Sequence, residues 1–225
     1  MNEVRPDQTL GDLAAQHPAA TRVFLRHRLD FCCGGRQTLA DACAEAGLDP
    51  RAIAGELDAE VARGDGEPGW DDRPLTDLAD HIEHRYHAAL RRDVPSLIEA
   101  ARRVERVHAA KPAVPAGLAA VLEQFWAEMQ SHMAKEEQIL FPMIRRGVPG
   151  DHVAGPVHVM MQEHDDHAVN LARIRELTDD RQAPAHACAT WRALYDGLGV
   201  LEAELMQHIH LENHVLFPRA MREDD

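Results

Sequence analysis

The chain has 225 residues, 45% of them hydrophobic and only 4% aromatic, and a formal net charge of −14 at pH 7. This acidic balance argues against nucleic-acid or anionic-membrane partners, because both require a basic surface. No apolar run approaches the roughly 20 residues of a membrane-spanning helix, and the first residues lack the features of a signal peptide. We therefore expect a cytoplasmic protein with one medium domain and a small one.

Residues 1–63 are predicted to form a small domain of short helices. Proline at a helix start and runs of helix-forming residues mark four segments: 9–17, 18–28, 37–47 and 50–64. The stretch 64–73 follows them and is dense in glycine, aspartate and proline, which neither helix nor strand tolerates well. We interpret it as a linker.

Residues 74–225 are predicted to form an all-α, up-and-down four-helix bundle. Breaks rich in glycine, proline or aspartate separate four long segments, and short connections make consecutive helices antiparallel neighbours. The predicted helices are 75–108, 115–146, 155–178 and 187–222. Pro95, Pro142 and Pro218 lie within or near the ends of these segments and are expected to kink or stop them.

An internal repeat links the second and fourth predicted helices. HMAKEEQILFP (132–142) and HIHLENHVLFP (208–218) align without a gap at an offset of 208 − 132 = 76. Upstream of both segments, apolar residues recur in steps of four and three, which is the pattern of a helix face that packs into a bundle. The two series are Leu118, Leu122, Phe125, Met129, His132, Glu136 and Ile139, and Leu194, Leu198, Leu201, Leu205, His208, Glu212 and Val215.

Each copy therefore places a histidine and a glutamate at successive core positions, where an unpaired charge is costly to bury. A metal ion would offset that cost. A single His-x-x-x-Glu pair is usually a solvated pair worth a few tenths of a kcal/mol, so the inference depends on the second copy. The same pattern predicts four bystanders that face away from this helix face: His210, His214, Glu137 and Asn213. His210 and His214 are left to solvent, to a partner or to a supporting role behind the ligands.

The first and third helices show the same logic more weakly. The series beginning at His87 and at His164 share the spacing 3, 4, 3 at an offset of 164 − 87 = 77. His81, His84 and His167 compete for the ligand role, and the periodicity does not exclude His84 or His167. The predicted metal ligands are His87, His132, Glu136, His164, His208 and Glu212.

Imidazole and carboxylate ligands without thiolate suit iron or manganese in a redox role better than structural zinc. We predict two non-haem iron ions. Each ion would take two imidazoles, and both carboxylates would bridge the pair beside a bridging oxide or hydroxide. Glu128 and Glu163 precede ligand histidines and are candidates for supporting acids or an iron exit path. The alternative is that both are solvated surface carboxylates.

The motifs RYH, SHMAKEEQILFP, QEHDDH and QHIHLENHVLFP make residues 74–222 resemble a hemerythrin-like di-iron domain. DFCCGGRQTL resembles the small N-terminal domain of the YtfE/ScdA family, also called RIC for repair of iron centres. The resemblance implies a cytoplasmic di-iron protein, often a homodimer, that restores iron–sulfur proteins damaged by oxidative or nitrosative stress. It implies the same six ligands.

Oxygen-carrying hemerythrins use five histidines where this chain has four well-placed ones. Both irons would then keep an open or labile position, which favours iron release or small-molecule reduction over oxygen carriage. Three functions remain open: donation of iron to damaged clusters, reduction of nitric oxide at the di-iron centre, and sensing of oxygen or nitric oxide.

Cys32 and Cys33 are candidate reactive thiols. The chain's four cysteines are too few for a disulfide framework, so we expect them to be reduced, with Cys43 and Cys188 buried. Neighbouring cysteines are not expected to hold one ion together easily, and a disulfide between them is strained. Gly34-Gly35 permits an unusual turn before a helix whose dipole would lower a nearby thiol pKa. The residues alone leave small buried side chains as the alternative, whereas the family resemblance favours thiols that handle iron or accept a nitrosyl group.

Overall fold

The structure of the protein is a computed structural model that describes residues 4–63, 69–70 and 72–222. Every regular element in these ranges is a helix, and strand-like pairing is limited to one isolated bridge between Thr9 and Thr38. The all-α prediction is confirmed. The linker predicted at 64–73 includes residues 64–68 and 71, which lie outside the described ranges. The predicted domain limits therefore stay a prediction.

Contacts divide the chain into two compact units. The first unit comprises residues 1–78, 149–151 and 206–225, and the second comprises residues 79–148 and 152–205. The C-terminal end of the chain therefore belongs to the same unit as the N-terminal helices. Among the helices in the described part of the chain, none is both long and apolar enough to cross a lipid bilayer.

The N-terminal part of the first unit contains the four predicted short helices. They are α1 (Leu10–Gln16), α2 (Ala20–His27), α3 (Leu39–Ala46) and α4 (Pro50–Arg63). The helices α1 and α3 start alike, because the Thr9 and Thr38 hydroxyls each accept a hydrogen bond from a backbone N–H three residues on, at 3.1 Å. Such N-caps stabilise a helix by about 1 kcal/mol. Leu10, Phe24 and Phe31 are fully buried between these helices and the C-terminal residues of the unit.

Four long helical segments follow. They are α5–α6 (Leu75–His81, Ile82–His87 as a π-helical turn, Ala88–His108), α7–α8 (Leu118–Lys135, Glu136–Leu140 as a π-helical turn, Phe141–Arg145), α9 (Gly150–Leu177) and α10–α11 (Ala189–His210, Leu211–Leu216 as a π-helical turn, Phe217–Ala220). The third segment begins earlier than the predicted residue 155. Its first turns bury Val153 and Val157, and this packing outweighs the backbone donor missing at Pro156.

Side-chain contacts in the second unit show that three neighbouring helix pairs, the first with the second, the second with the third and the first with the fourth, run antiparallel. In each pair, a residue late in one helix meets a residue early in the next, as a bundle with short connections requires. The pairs are Arg145 with Asp80 and Arg102 with Glu123 between the first two helices, His132 with Glu163 and Asn170 with Glu128 between the second and third, and Arg85 with Glu204 and His108 with Trp191 between the first and fourth.

The π-helical turns are the main feature of the long helices that the sequence pattern does not predict. Phe141 N–H bonds to Glu136 O, and Phe217 N–H bonds to Glu212 O, each spanning five residues instead of four. A proline without an N–H follows directly in each case, so these prolines change the helix pitch but do not stop the helix. Ile139, predicted in the core, is 52% exposed, whereas Val215 at the equivalent position of the second copy is 4% exposed.

Candidate metal centre

Four of the six predicted ligands lie together in the second unit. His87, His132, Glu136 and His164 come from its first three helices and are each at most 1% exposed. The ligand atoms of His132, Glu136 and His164 lie within 4.8 Å of one another. The two oxygens of Glu136 face different imidazoles, since Oε2 lies 3.2 Å from Nε2 of His87 and Oε1 lies 3.5 Å from Nε2 of His132.

Two outer carboxylates orient the imidazoles of this cluster. Nδ1 of His87 lies 2.7 Å from Glu137, and Nδ1 of His132 lies 2.9 Å from Glu163. An ionised carboxylate only accepts hydrogen bonds, so each Nδ1 carries the proton and donates it, and each Nε2 presents its lone pair to the centre. Histidine ligands of metals are usually held in this way.

These hydrogen bonds also keep the outer carboxylates charged. The hydrogen bond from His132, together with Lys135, lowers the pKa of Glu163 to about 2. Burial opposes ionisation of Glu137, but the hydrogen bonds from His87 and Arg91 outweigh it and lower the pKa of that carboxyl. Both carboxylates are therefore ionised at neutral pH. The prediction that Glu137 is a bystander is wrong, because the π-helical turn beginning at Glu136 changes which residues face the neighbouring helix.

The donor set fits a bound cation. Three buried atoms, both carboxylate oxygens of Glu136 and Nε2 of His132, have no hydrogen-bond partner within the part of the chain that the structure describes. Burying polar atoms in this state costs several kcal/mol unless something compensates. A cation between an imidazole lone pair and a carboxylate oxygen supplies that compensation, and no thiol is part of the cluster.

The other two predicted ligands lie in the first unit. His208 and Glu212 are 1% and 0% exposed, and His208 Nε2 lies 3.0 Å from Glu212 Oε1. The pair therefore occupies buried positions as the repeat predicts. The assignment of all six residues as ligands stays a prediction.

The three competing histidines have different surroundings. His84 is exposed, and its Nδ1 lies 2.7 Å from the backbone oxygen of Asp80. His81 is half-buried with its ring against Tyr86. His167 is 1% exposed, and its ring lies edge-on to His132 with centroids 5.0 Å apart. Burial therefore disfavours His84 as a ligand, whereas His167 lies beside the cluster.

The residues His210, Asn213 and His214 do not face away into solvent. Within the first unit, His210 is 2% exposed and packs edge-on to Phe31, with ring centroids 5.5 Å apart. Asn213 Nδ2 and His214 Nε2 lie 3.2 Å and 3.0 Å from the carbonyl oxygen of Cys32. Burial lowers the pKa of His210 to about 3. Of the alternatives left open for His210 and His214, these contacts favour packing against the N-terminal residues over exposure to solvent.

The cysteines also depart from the sequence predictions. The pKa of the Cys32 thiol is raised well above its ordinary value by a hydrogen bond to Cys33, by burial and by the nearby Asp30 carboxylate. The helix dipole was expected to lower a thiol pKa here, and these effects outweigh it at Cys32. The Sγ atoms of Cys32 and Cys33 lie 3.7 Å apart. Cys43 is buried as expected, but Cys188 is exposed, with its Sγ 3.2 Å from Nε2 of His108.

A cavity of about 420 Å³ in the second unit places Glu128 and Glu163 beside the buried cluster. Glu163 contacts His132 from this cavity, and Glu128 accepts a hydrogen bond from Asn170 at 2.7 Å. The cavity connects buried His167 to exposed residues such as Asp166. Its lining is Ala127, Glu128, Ser131, Lys135, Glu163, Asp166 and His167.

Comparison with known proteins gives matches over nearly the whole chain. Residues 6–61 match the ScdA_N model, described as a domain of unknown function, and residues 78–220 match the hemerythrin HHE cation binding domain. The second match contains all six predicted ligands. The relatives include proteins named iron-sulfur cluster repair protein YtfE from Citrobacter koseri (49% identical), Escherichia coli O157:H7 (48%) and Yersinia pseudotuberculosis (47%), each over 96% of this chain and 97% of the relative.

Proposed function

The chain belongs to the family of YtfE iron–sulfur cluster repair proteins, and we propose that it repairs damaged iron–sulfur clusters by donating iron. The observation that carries this proposal is the near-complete match to relatives with that name. A hemerythrin domain that binds cations and a buried cluster of imidazoles and carboxylates support iron as the cargo. We expect the recipients to be iron–sulfur proteins that have lost iron.

The six predicted residues would hold two irons. Because the rings of His132 and His164 lie 4.9 Å apart, we assign them to one ion, and the two remaining predicted imidazoles, those of His87 and His208, are then left for the other. Glu136 directs one oxygen towards His87 and the other towards His132, which supports a bridging role. Glu212 occupies the equivalent position in the repeat, and we propose that it bridges as well. When bound, iron in such a set keeps positions open for small ligands.

The residues behind the ligands would govern release. Glu137 and Glu163 hold the Nδ1 protons of His87 and His132, so loss of either hydrogen bond weakens the imidazole as a ligand. Glu163 also lines the cavity with Glu128 and Asp166. These carboxylates offer hard oxygen donors to a departing ferrous ion, and we propose the cavity as its exit path.

Iron transfer is the experiment that tests this function. Protein loaded with ⁵⁷Fe would be incubated anaerobically with an iron-depleted dehydratase whose activity requires a complete [4Fe–4S] cluster. We expect recovery of activity and ⁵⁷Fe in the repaired cluster, even with a ferrous chelator in solution. His132→Ala at equal total iron should not restore activity.

His84→Ala is the matched control, because it removes an exposed histidine from the helix that carries His87. It should repair clusters as well as the wild type. Equal repair by His132→Ala and wild type, or repair that the chelator abolishes, would show that free iron does the work and would refute the proposal.

A further inference from the structure

The loop between α2 and α3 gathers three potential metal ligands outside the bundle. Asp30 Oδ1 lies 3.1 Å from Cys32 Sγ, and the two cysteine sulfurs lie 3.7 Å apart. One ligand atom from each of Asp30, Cys32 and Cys33 falls within 4.8 Å of the others. The chain thus brings two sulfurs and a carboxylate oxygen together within four consecutive residues.

The loop backbone enforces this arrangement. Asp30 Oδ1 accepts hydrogen bonds from the backbone N–H groups of Cys32 at 3.1 Å and Cys33 at 3.0 Å, so the carboxylate closes a tight turn. A Cβ at Gly34 would lie 3.0 Å from Asp30 O, and one at Gly35 would lie 2.5 Å from Phe31 O. The two glycines therefore permit a turn that other residues would open.

The C-terminal residues of the same unit hold the loop from outside. Asn213 Nδ2 donates to the carbonyl oxygen of Cys32 at 3.2 Å, and Nε2 of His214 lies 3.0 Å from that oxygen. The His214 ring also packs against Gly11 and Gly35, where a Cβ would come within 2.4 Å and 2.3 Å of it. Cys32 is 4% exposed whereas Cys33 is half-buried. The ligand atoms are therefore fixed before any ion arrives, which reduces the cost of binding.

We propose that Asp30, Cys32 and Cys33 form a second, mononuclear metal site that takes a thiophilic divalent cation such as Fe²⁺ or Zn²⁺. Two sulfurs that bind one ion tetrahedrally at about 2.3 Å are about 3.8 Å apart, close to the observed 3.7 Å. A hard carboxylate oxygen beside two thiolates favours a divalent ion over Cu⁺. Three protein ligands leave a fourth position open, as in sites that exchange their ion or bind a further ligand.

Binding at this site is an acid–base step without electron transfer. The thiol protons leave as the metal–sulfur bonds form, and buffer accepts them. The Asp30 carboxylate oxygen must also give up its hydrogen bond from the Cys32 thiol and bind the ion through a lone pair. The site is independent of the proposed function, because it shares no residue with the six bundle ligands.

Cobalt titration of the full-length, iron-loaded protein under reducing conditions tests this proposal. Thiolate ligands give cobalt(II) a sulfur-to-metal charge-transfer band in the near ultraviolet, which imidazole and carboxylate ligands do not produce. We expect the band to saturate at about one cobalt per chain. Cys32→Ser and Cys33→Ser should abolish or strongly reduce it, and Asp30→Asn, which still accepts the two backbone hydrogen bonds, should weaken affinity about tenfold or more.

Two controls separate this site from the others. Cys188→Ser removes an exposed thiol elsewhere and should leave the band unchanged. His132→Ala should keep the band while losing iron from the bundle, so a failure of one site does not imply failure of the other. A wild-type protein with titratable thiols but no band, or a band that survives in Cys33→Ser or disappears in Cys188→Ser, would refute the second site. Far-ultraviolet circular dichroism and bundle iron content verify that each cysteine variant is folded.

Discussion

The two copies of the repeat, residues 132–142 and 208–218, have the same core face but different outer faces. Each buries a histidine and a glutamate one turn apart, followed by a π-helical turn and a proline. Outside the core, Glu137 in the first copy contacts His87, whereas Asn213 at the equivalent position contacts Cys32. The two copies therefore share a buried histidine–glutamate pair, while the residues at their outer positions fit the different neighbours of each helix.

Two further outer positions carry different residues in the two copies. Ala134 and Gln138 in the first copy correspond to His210 and His214 in the second. The two histidines stack with ring centroids 5.3 Å apart and pack against N-terminal residues of the same unit. Gln138, in contrast, is exposed. The histidine-rich appearance of the second copy therefore reflects two roles, one at the buried pair and one in holding the N-terminal loop.

The largest expected effect tests the equivalence of the inner positions. His132→Ala and His208→Ala should both lose at least half of about two irons per chain, because each removes one imidazole from a two-ion site. Metal analysis and the electronic absorption spectrum measure this loss. A variant of either residue that keeps all its iron and its spectrum would contradict the shared role.

The next effect tests the difference at the outer positions. Glu137→Gln should lower iron affinity about 10- to 100-fold, since it removes the carboxylate that orients His87. Asn213→Ala, its counterpart in the second copy, should leave iron affinity close to wild type. Competition with a ferrous chelator gives both affinities, and equal losses in the two variants would show that the copies are not functionally divided.

A glycine substitution probes the contact between the second copy and the cysteine loop. Gly35→Ala would put a Cβ 2.3 Å from Nε2 of His214, so we expect a loss of about 1–3 kcal/mol in the free energy of unfolding. Gly55→Ala is the control, because nothing lies within 4 Å of its Cβ position in α4. It should be stabilising by up to about 1 kcal/mol. Urea unfolding measures both.

The smallest effect is a pH dependence between pH 7.5 and pH 5.5 that arises from His210 in the second copy. His210 has a folded-state pKa of about 3 against an ordinary 6.5, so between these values the unfolded chain binds a proton that the folded chain does not. Stability is therefore complete above pH 6.5 and falls as the pH drops towards 3, by about 1.4 kcal/mol at pH 5.5.

Urea unfolding of the metal-free protein at pH 7.5 and pH 5.5 measures this dependence. His210→Asn should show a smaller loss of stability between the two pH values than the wild type. Ala134→Asn, at the equivalent position of the first copy, removes no titratable group and should keep the wild-type difference. An unchanged difference in His210→Asn would rule out His210 as its source.

Much of the fold was predictable because its signals are local and repeated. Proline at a helix start and runs of helix-forming residues marked the short helices, and glycine- and proline-rich breaks separated the long ones. The buried positions of His132, Glu136, His208 and Glu212 followed from a spacing that occurs twice. The π-helical turns were not predictable from that spacing, because steps of three and four residues assume a regular α-helix throughout.

The helical class and the buried positions of the two histidine–glutamate pairs follow from the sequence alone, because helix periodicity ties spacing to a face. The contacts of the other polar residues depend on the tertiary structure. Glu137 and Glu163 hold imidazoles across a helix pair, Asn213 and His214 hold the Cys32 carbonyl, and Asp30 brings two sulfurs within 3.7 Å. Most of these contacts join residues far apart in the chain, and the Asp30 turn depends on close backbone approach. No periodic pattern encodes either.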